Sequence, residues 1–309
     1  MSGRTAGGVI AVALFAAAAG PSAREDPSLA VRLPSGASHL FWRASRAPDQ
    51  WTTADARLTA LVQWHAGRPG VAWATLPIEG HGEARALTLV LGRIDPDAVS
   101  FHLIWDVQDD RPHWTVDRAG DAAVALNAGM FVDRLPWGWV VTDGHERLPP
   151  GTGPLSSALI GLADGRLAWV DGDDVAQWRG RSLKNVRFAF QSYPTLLTGD
   201  GTVPEPLRDG TINVTHRDAR LALGLDRQGR LLIALTRLDV PIPGADRVPF
   251  GLTVPEMAAV MGALDAQRAM LLDGGISAQL SIADSTGHAK TWKGLRKVPL
   301  ALVARSGPQ

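Results

Sequence analysis

Leu271-Leu272-Asp273-Gly274-Gly275-Ile276-Ser277 is the stretch on which the reading of this chain turns. The apolar run from Ala269 to Leu272 predicts a strand that enters a carboxylate directly, and two glycines and a hydroxyl follow. Glycine lets the backbone approach a ligand closely and adopt dihedrals that a side chain forbids. A carboxylate beside such a turn, on a loop held by a rigid strand, is a common place for chemistry. The same residues also suit a plain Asp-Gly-Gly hairpin turn. Only their company elsewhere in the chain separates the two readings.

Two further segments share the pattern of a buried strand ending in a polar group. Val124-Ala125-Leu126-Asn127-Ala128-Gly129-Met130-Phe131 runs from apolar residues into an amide, a good partner for a sugar hydroxyl or a phosphate oxygen. In Ala219-Arg220-Leu221-Ala222-Leu223-Gly224-Leu225-Asp226 an arginine opens the strand, and its planar fork of donors suits phosphate or carboxylate. Taken singly, each has a bland alternative: a turn asparagine, or an edge-strand arginine that stays in water.

Composition narrows the classes. The 309 residues are 45% hydrophobic and 20% charged, which predicts an ordinary packed core. The formal net charge of zero, with no block of lysine or arginine, argues against nucleic acid as a partner. The absence of cysteine removes disulfides, thiolate metal sites and a cysteine nucleophile. Arg4 followed by the apolar Gly7–Gly20 stretch reads as a secretory signal peptide over residues 1–23, with an uncleaved anchor as the alternative. Once such a leader is removed no stable membrane span is expected, and the location would be periplasmic or secreted.

Residues 24–66 read as a linker or loosely docked arm punctuated by Pro27, Pro34, Gly36 and Pro48. It ends in a short helix from Ala54 to His65, capped by Thr52 or Thr53. Residues 67–309 read as the functional domain. Strand pairs dominate there, with Asp164-Gly165 and Asp226-Arg227-Gln228-Gly229 as hairpin signals. One helix is strongly marked, from Val254 to Leu264, with Thr253 as N-cap, Glu256 closing a capping box and Pro255 in its first turn. The stretch Val132–Pro154 reads as a long loop, a length that favours binding over mere connection. Its Trp137 and Trp139 would either stack on a sugar face or pack inward. Short hairpin-linked strands with two helices predict an α+β fold, largely antiparallel in its sheets. Neither a GxGxxG nor a P-loop pattern follows a strand, and HExxH and GxSxG are absent. The eight histidines lack metal-ligand spacing, and His216, just ahead of Arg220, is the one placed to matter.

In order along the chain, these segments resemble the phosphodiester glycosidase family. Asn127-Ala128-Gly129-Met130-Phe131 resembles its Asn-Gly/Ala-Gly-Phe-Phe motif, and Gln191-Ser192-Tyr193-Pro194 stands where Gln-Ser-Gly-Pro is usual. Arg220 through Gly224 is similar to its Arg-Thr-Ala-Ile-Gly strand, and Asp273 through Ser277 to its Asp-Gly-Gly-Gly-Ser turn. The resemblance implies hydrolysis of a sugar-1-phosphodiester at the anomeric carbon. Asp273 would serve as nucleophile or base, Arg220 as the phosphate ligand and Asn127 as an orienting amide. Gly274 and Gly275 would offer N–H groups and Ser277 a supporting hydroxyl. Gly129, Gln191, Ser192, His216 and Trp137 would complete the carbohydrate or glycosyl-phosphate site. A second carboxylate is expected, with Asp143, Asp226 and Glu256 as candidates. No cofactor is implied, and no ligand cluster supports a divalent metal held by Asp273. The departures at Ile276, Tyr193 and Leu221 put bulk near the acid and the arginine. They leave open a glycan-binding relative without turnover, and a phosphodiesterase cutting P–O is a further alternative.

Overall fold

The computed structural model describes residues 25–307 apart from 154, 173, 200, 210–211 and 240–243, so the expected signal peptide at 1–23 lies outside the described residues. The architecture is α+β with antiparallel sheets, as expected. The largest sheet has nine strands. From one edge it runs Thr195–Leu197, Ala266–Leu272, Leu221–Asp226, Leu231–Leu238, Leu87–Ile94, Val71–His81, Ser28–Arg32, Ser38–Arg43, and the ninth strand, His65–Ala66, pairs with Val71–His81 off this path. Register along it decides where chemistry sits. Leu221 pairs with Leu272, so Arg220 and Asp273, each one residue beyond its strand, emerge at the same end of the sheet.

The two faces of this sheet follow from period-two alternation. Leu221, Leu223, Met270 and Leu272 point into a core shared with a five-stranded sheet that contains Val124–Asn127, Leu280–Ala283 and Leu300–Ser306. Ala222, Ala269 and Leu271 point to the opposite face, which the helix Val254–Ala263 covers. Every residue of that helix is buried, the signature of a helix inside a core rather than on a surface. Its capping box forms as read, with the Thr253 hydroxyl accepting from the Glu256 N–H and the Glu256 carboxylate accepting from the Thr253 N–H. A third sheet, also five-stranded, carries Val140–Thr142, Val186–Ser192 and Ser157–Leu162.

Three local expectations change. The arm is integrated rather than loose: Ser28–Arg32 and Ser38–Arg43 form a hairpin that joins the large sheet through Val71–His81, with Leu29, Ala30 and Val31 buried. Pro34 and Gly36 punctuate the turn between those strands, and the short apolar runs beside them suffice for pairing. The following helix is shorter than expected, Ala56–Leu61, and is capped by Asp55, whose carboxylate accepts from the Arg57 and Leu58 N–H groups. Thr52 instead donates to the Gly201 carbonyl. The stretch 132–154 is largely structured, with Met130–Val132 pairing Leu135–Trp137 and Val140–Thr142 pairing His145–Leu148. The first turn is inconspicuous because Asp133, not glycine, takes its positive-φ position, whereas the second is an Asp143-Gly144 pair with both residues at positive φ, a two-residue hairpin turn inside the expected loop. Among the described residues the α-helices number four rather than two, with Asp174–Ser182 and Glu205–Arg208 the ones not anticipated.

Candidate active site

The Asp273 turn is a crossover between sheets, not a hairpin. After Leu272 the chain makes a short 3-10 turn at Gly275–Ser277 and enters Leu280–Ala283 of the neighbouring sheet. Two backbone bonds fix it: the Asp273 N–H donates to the Gly129 carbonyl at 2.8 Å and the Gly275 N–H to the Ala219 carbonyl at 2.7 Å. The three distant segments therefore meet, tied through main chain. The glycines are required by proximity. A Cβ on Gly274 would lie 2.4 Å from the Ala219 oxygen, and one on Gly275, where φ is +55°, would lie 2.9 Å from Asp218 Oδ2. The Gly275 N–H is thus spent on Ala219 and is not offered to a ligand, contrary to expectation. Ile276 is 44% exposed and points out of the turn, so its bulk does not close the site.

Asp273 is partly buried, and burial pushes its carboxyl up to about 6. A hydrogen bond with Ser277 and the charge of Arg296 pull the other way, while the charge of Asp218 adds to the rise. Ser277 is itself 1% exposed, in keeping with the supporting role read from the turn.

A second carboxylate, Asp218, lies against the turn. It abuts Gly275, accepts from the Ala219 N–H at 2.9 Å and faces the charges of Arg220 and His216. Burial raises its pKa, and those three partners oppose the rise. The three candidates read from sequence do other work. Asp226 accepts from the N–H groups of Gln228 and Arg230 and pairs with the Arg230 side chain at 2.8 Å, tying its own hairpin at the far end of the strand. Glu256, 0% exposed, pairs with Arg217 at 2.6 Å and closes the helix cap. Asp143 occupies an exposed turn. Nothing in the string His216-Arg217-Asp218-Ala219-Arg220 marks Asp218. The one usable signal is the pair of glycines at 274 and 275, whose smallness implies a close neighbour.

Arg220 reaches the site from the head of Leu221–Asp226. Its Nε donates to the Leu252 carbonyl at 2.9 Å and its Nη2 to the His216 carbonyl at 2.6 Å. Burial lowers its pKa, and Asp218 and Glu256 raise it. Among the described residues no carboxylate hydrogen-bonds its guanidinium. The backbone aims the group and leaves its charge without a direct anionic partner.

Three expected ligand contacts prove to be scaffold. The Asn127 amide, 0% exposed, donates to the Asp273 carbonyl at 2.9 Å and accepts from the Gln279 N–H at 2.9 Å. It sets the backbone that carries the acid, and its full burial keeps it from a sugar. Gln191 accepts through Oε1 from the N–H groups of Trp139 and Gly151 and donates through Nε2 to the Gly151 carbonyl and the Ser156 hydroxyl. Ser192 donates to the Leu271 carbonyl at 2.6 Å. Buried polar groups are satisfied by the fold in this way. Gly129 acts through its carbonyl, as the acceptor for Asp273.

Beside the acids opens a cleft of about 530 Å³ whose walls include Met130, Trp137, Tyr193, Pro194, His216 and Arg220. Trp137 meets Tyr193 edge to face, with centroids 4.7 Å apart. Trp139 packs inward, 0% exposed, with its Nε1–H donated to Glu146. Of the two loop tryptophans only Trp137 reaches the cleft. Among the described residues no group of three or more His, Asp or Glu converges as a metal site.

Paired acids with a guanidinium, at an open cleft on an antiparallel α+β frame, are the parts of a glycosidase-type hydrolase. The profile of the phosphodiester glycosidase family matches residues 120–305, more than half of the chain, and the protein belongs to that family. Its fold is similar to the zebrafish N-acetylglucosamine-1-phosphodiester alpha-N-acetylglucosaminidase catalytic domain, solved auto-inhibited by its pro-peptide. That likeness has a TM-score of 0.59 and 16% identity, over 80% of this chain and 88% of that one. A hypothetical protein from Synechocystis is similar with a TM-score of 0.51 and 15% identity, over 77% of this chain and 62% of that one. No curated protein matches the sequence.

Proposed function

We propose that this hydrolase cleaves a sugar-1-phosphodiester between the anomeric carbon and the phosphate oxygen, with Asp273 and Asp218 as its carboxylate pair and Arg220 on the phosphate. The observation that carries the reading is the contact of Asp218 with the Asp273-Gly274-Gly275 turn, which sets two acids of raised pKa beside one unpaired guanidinium. The zebrafish relative is named for a substrate with the same linkage.

The chemistry follows from charge. As the C1–O bond lengthens, the sugar gains positive character and the bond's electrons pass to the phosphate monoester. That monoester is a good leaving group, so proton donation to it contributes little. The carboxylates stabilise the sugar and the guanidinium takes up the new negative charge. With its pKa raised to about 6, Asp273 is ionised near neutral pH yet basic enough to take a proton from the attacking water. Attack by Asp273 itself on C1, followed by hydrolysis of the glycosyl-enzyme by water, would instead require the carboxylate to lie directly against C1 with no water between. His216, exposed and near enough for its charge to act on Asp218, would carry a proton between that acid and solvent. The leader-like N-terminus supports export, and N-terminal sequencing of the protein recovered from periplasm or medium checks it.

Hydrolysis in oxygen-18 water tests the reaction. Label in the released sugar is the expected result. Label in the phosphate would show P–O cleavage, and no product with any glycosyl phosphodiester would leave a glycan-binding protein.

A further inference from the structure

Building on the glycosyl-phosphodiester reading, we propose that the alcohol on the far side of the phosphate is a lipid-like hydrocarbon, received by the cleft beyond Arg220. The first support is position. Arg220 and His216 line the cleft, and Asp273, Asp218 and Ser277 do not. Asp218 abuts Gly275 of the Asp273 turn and stands two residues before Arg220 at the head of the same strand, so it links the acid to the guanidinium. A substrate with its anomeric carbon at Asp273 and its phosphate on Arg220 must put the esterified alcohol into this cavity.

The second support is the chemistry of the walls. Met130, Trp137, Leu155, Tyr193, Ile212 and Val254 give the cleft an apolar lining. A second sugar or a glycerol unit would need hydrogen bonds along most of the wall, whereas the uncommitted polar groups, at Thr152, Asn213, His216 and Tyr193, are a minority beside these apolar side chains. Ser156 donates to the Gly153 carbonyl and accepts from Gln191, and the Asn213 side-chain oxygen accepts from both Thr215 groups. The lining offers contact area and few hydrogen bonds, which selects for hydrocarbon.

The third support is the apolar rim. Met130 and Trp137 face each other at the base of a hairpin whose Val132 and Leu135, 51% and 40% exposed, lie nearer its tip. The Arg296 side chain binds the Asp133 carbonyl and lays the 295–296 segment alongside. The Leu295 N–H donates to the Ile276 carbonyl, and both side chains are exposed, at 59% and 44%. Among the described residues, four of the six large exposed apolar residues thus lie along the hairpin whose base lines the cleft, and a fifth, Tyr193, lines the cleft itself, beside the exposed cations Arg134 and Lys297. Apolar side chains next to fixed positive charge suit an anionic amphiphile.

Calorimetric titration of the purified chain with n-alkyl phosphates from ethyl to octyl, below their micelle concentrations, and with glycerol 1-phosphate tests this without any turnover. Affinity is expected to rise with chain length, by up to about fourfold per methylene where the chain is fully buried. Octyl phosphate should exceed glycerol phosphate by at least about tenfold. Trp137→Ala should flatten the series at its long end and spare ethyl phosphate, while Tyr193→Phe keeps it. The double change Val132→Ser with Leu135→Ser should weaken only the longest chains. A series flat with chain length, or tighter binding of glycerol phosphate or free hexose, overturns the proposal. Failure of the hydrolytic reading shows separately, as no sugar release from any phosphodiester while the alkyl series still climbs.

Discussion

The strand Leu221–Asp226 has an acid and an arginine near each end, and the two ends behave differently. At the far end Asp226 is consumed by its own turn, with two backbone N–H groups and the Arg230 guanidinium on one carboxylate. At the near end Asp218 and Arg220 face each other's charge without an ion-pairing hydrogen bond among the described residues, and Arg220 donates to two carbonyls instead. Residue types are alike, and only the partners differ. A carboxylate that the turn satisfies is structure. One that backbone geometry keeps apart from its cation is held ready for a ligand.

Substitution should expose this contrast most strongly in activity. Asp273→Asn or Arg220→Ala is expected to lower kcat/KM by about 100- to 1000-fold with the circular dichroism spectrum unchanged, whereas Asp226→Asn should leave kcat/KM within about twofold. Near-native turnover by either site variant would end the assignment. The backbone that separates the ends can be broken next. Gly275→Ala places a methyl 2.9 Å from Asp218 Oδ2 at a φ of +55°, and a loss of about 1–3 kcal/mol in urea melts is expected together with impaired catalysis.

Acidity sharpens the comparison further. With ionised Asp273 as the active form, as proposed, kcat/KM should climb with pH through about 6. Asp218→Asn removes a neighbouring negative charge, which moves that limb to lower pH, and a limb that stays in place would dissociate the pair. The smallest expected effect is on stability. Because the folded pKa of Asp273 is raised above its unfolded value, the native state binds more protons between about pH 4 and 6, and stability falls as pH rises through that window. Asp273→Asn should therefore stabilise the protein by about 1–2 kcal/mol at pH 7 and by nothing below about pH 4. Chemical melts at the two pH values read both the sign and the size.

The frame was legible where local pattern and packing agree. The helix over Val254–Ala263 announced itself by Thr253, Pro255 and Glu256, and the register of Leu221 against Leu272 follows from two apolar runs that end in charge. The site was legible in its segments and less so in its roles. Asn127 and Gln191 sit at strand ends as a ligand contact would, yet burial commits their amides to backbone and neighbouring side chains, a distinction that depends on depth below the surface. Asp218 stayed hidden for the opposite reason. Its importance comes from touching Gly275, fifty-seven positions away in sequence, and no local spacing encodes that contact.

Gln191 and Ser192 together join the base of the Trp137 hairpin, the Gly151–Ser156 segment and the Leu271 carbonyl, so the residue that follows them stands on a foundation fixed from both sides. Tyr193 can then be exchanged for a smaller or larger side chain while the reacting acids keep their places. On the proposed reading, a wall anchored in this way lets the choice of alcohol drift by single substitutions, with the bond-breaking apparatus inherited intact.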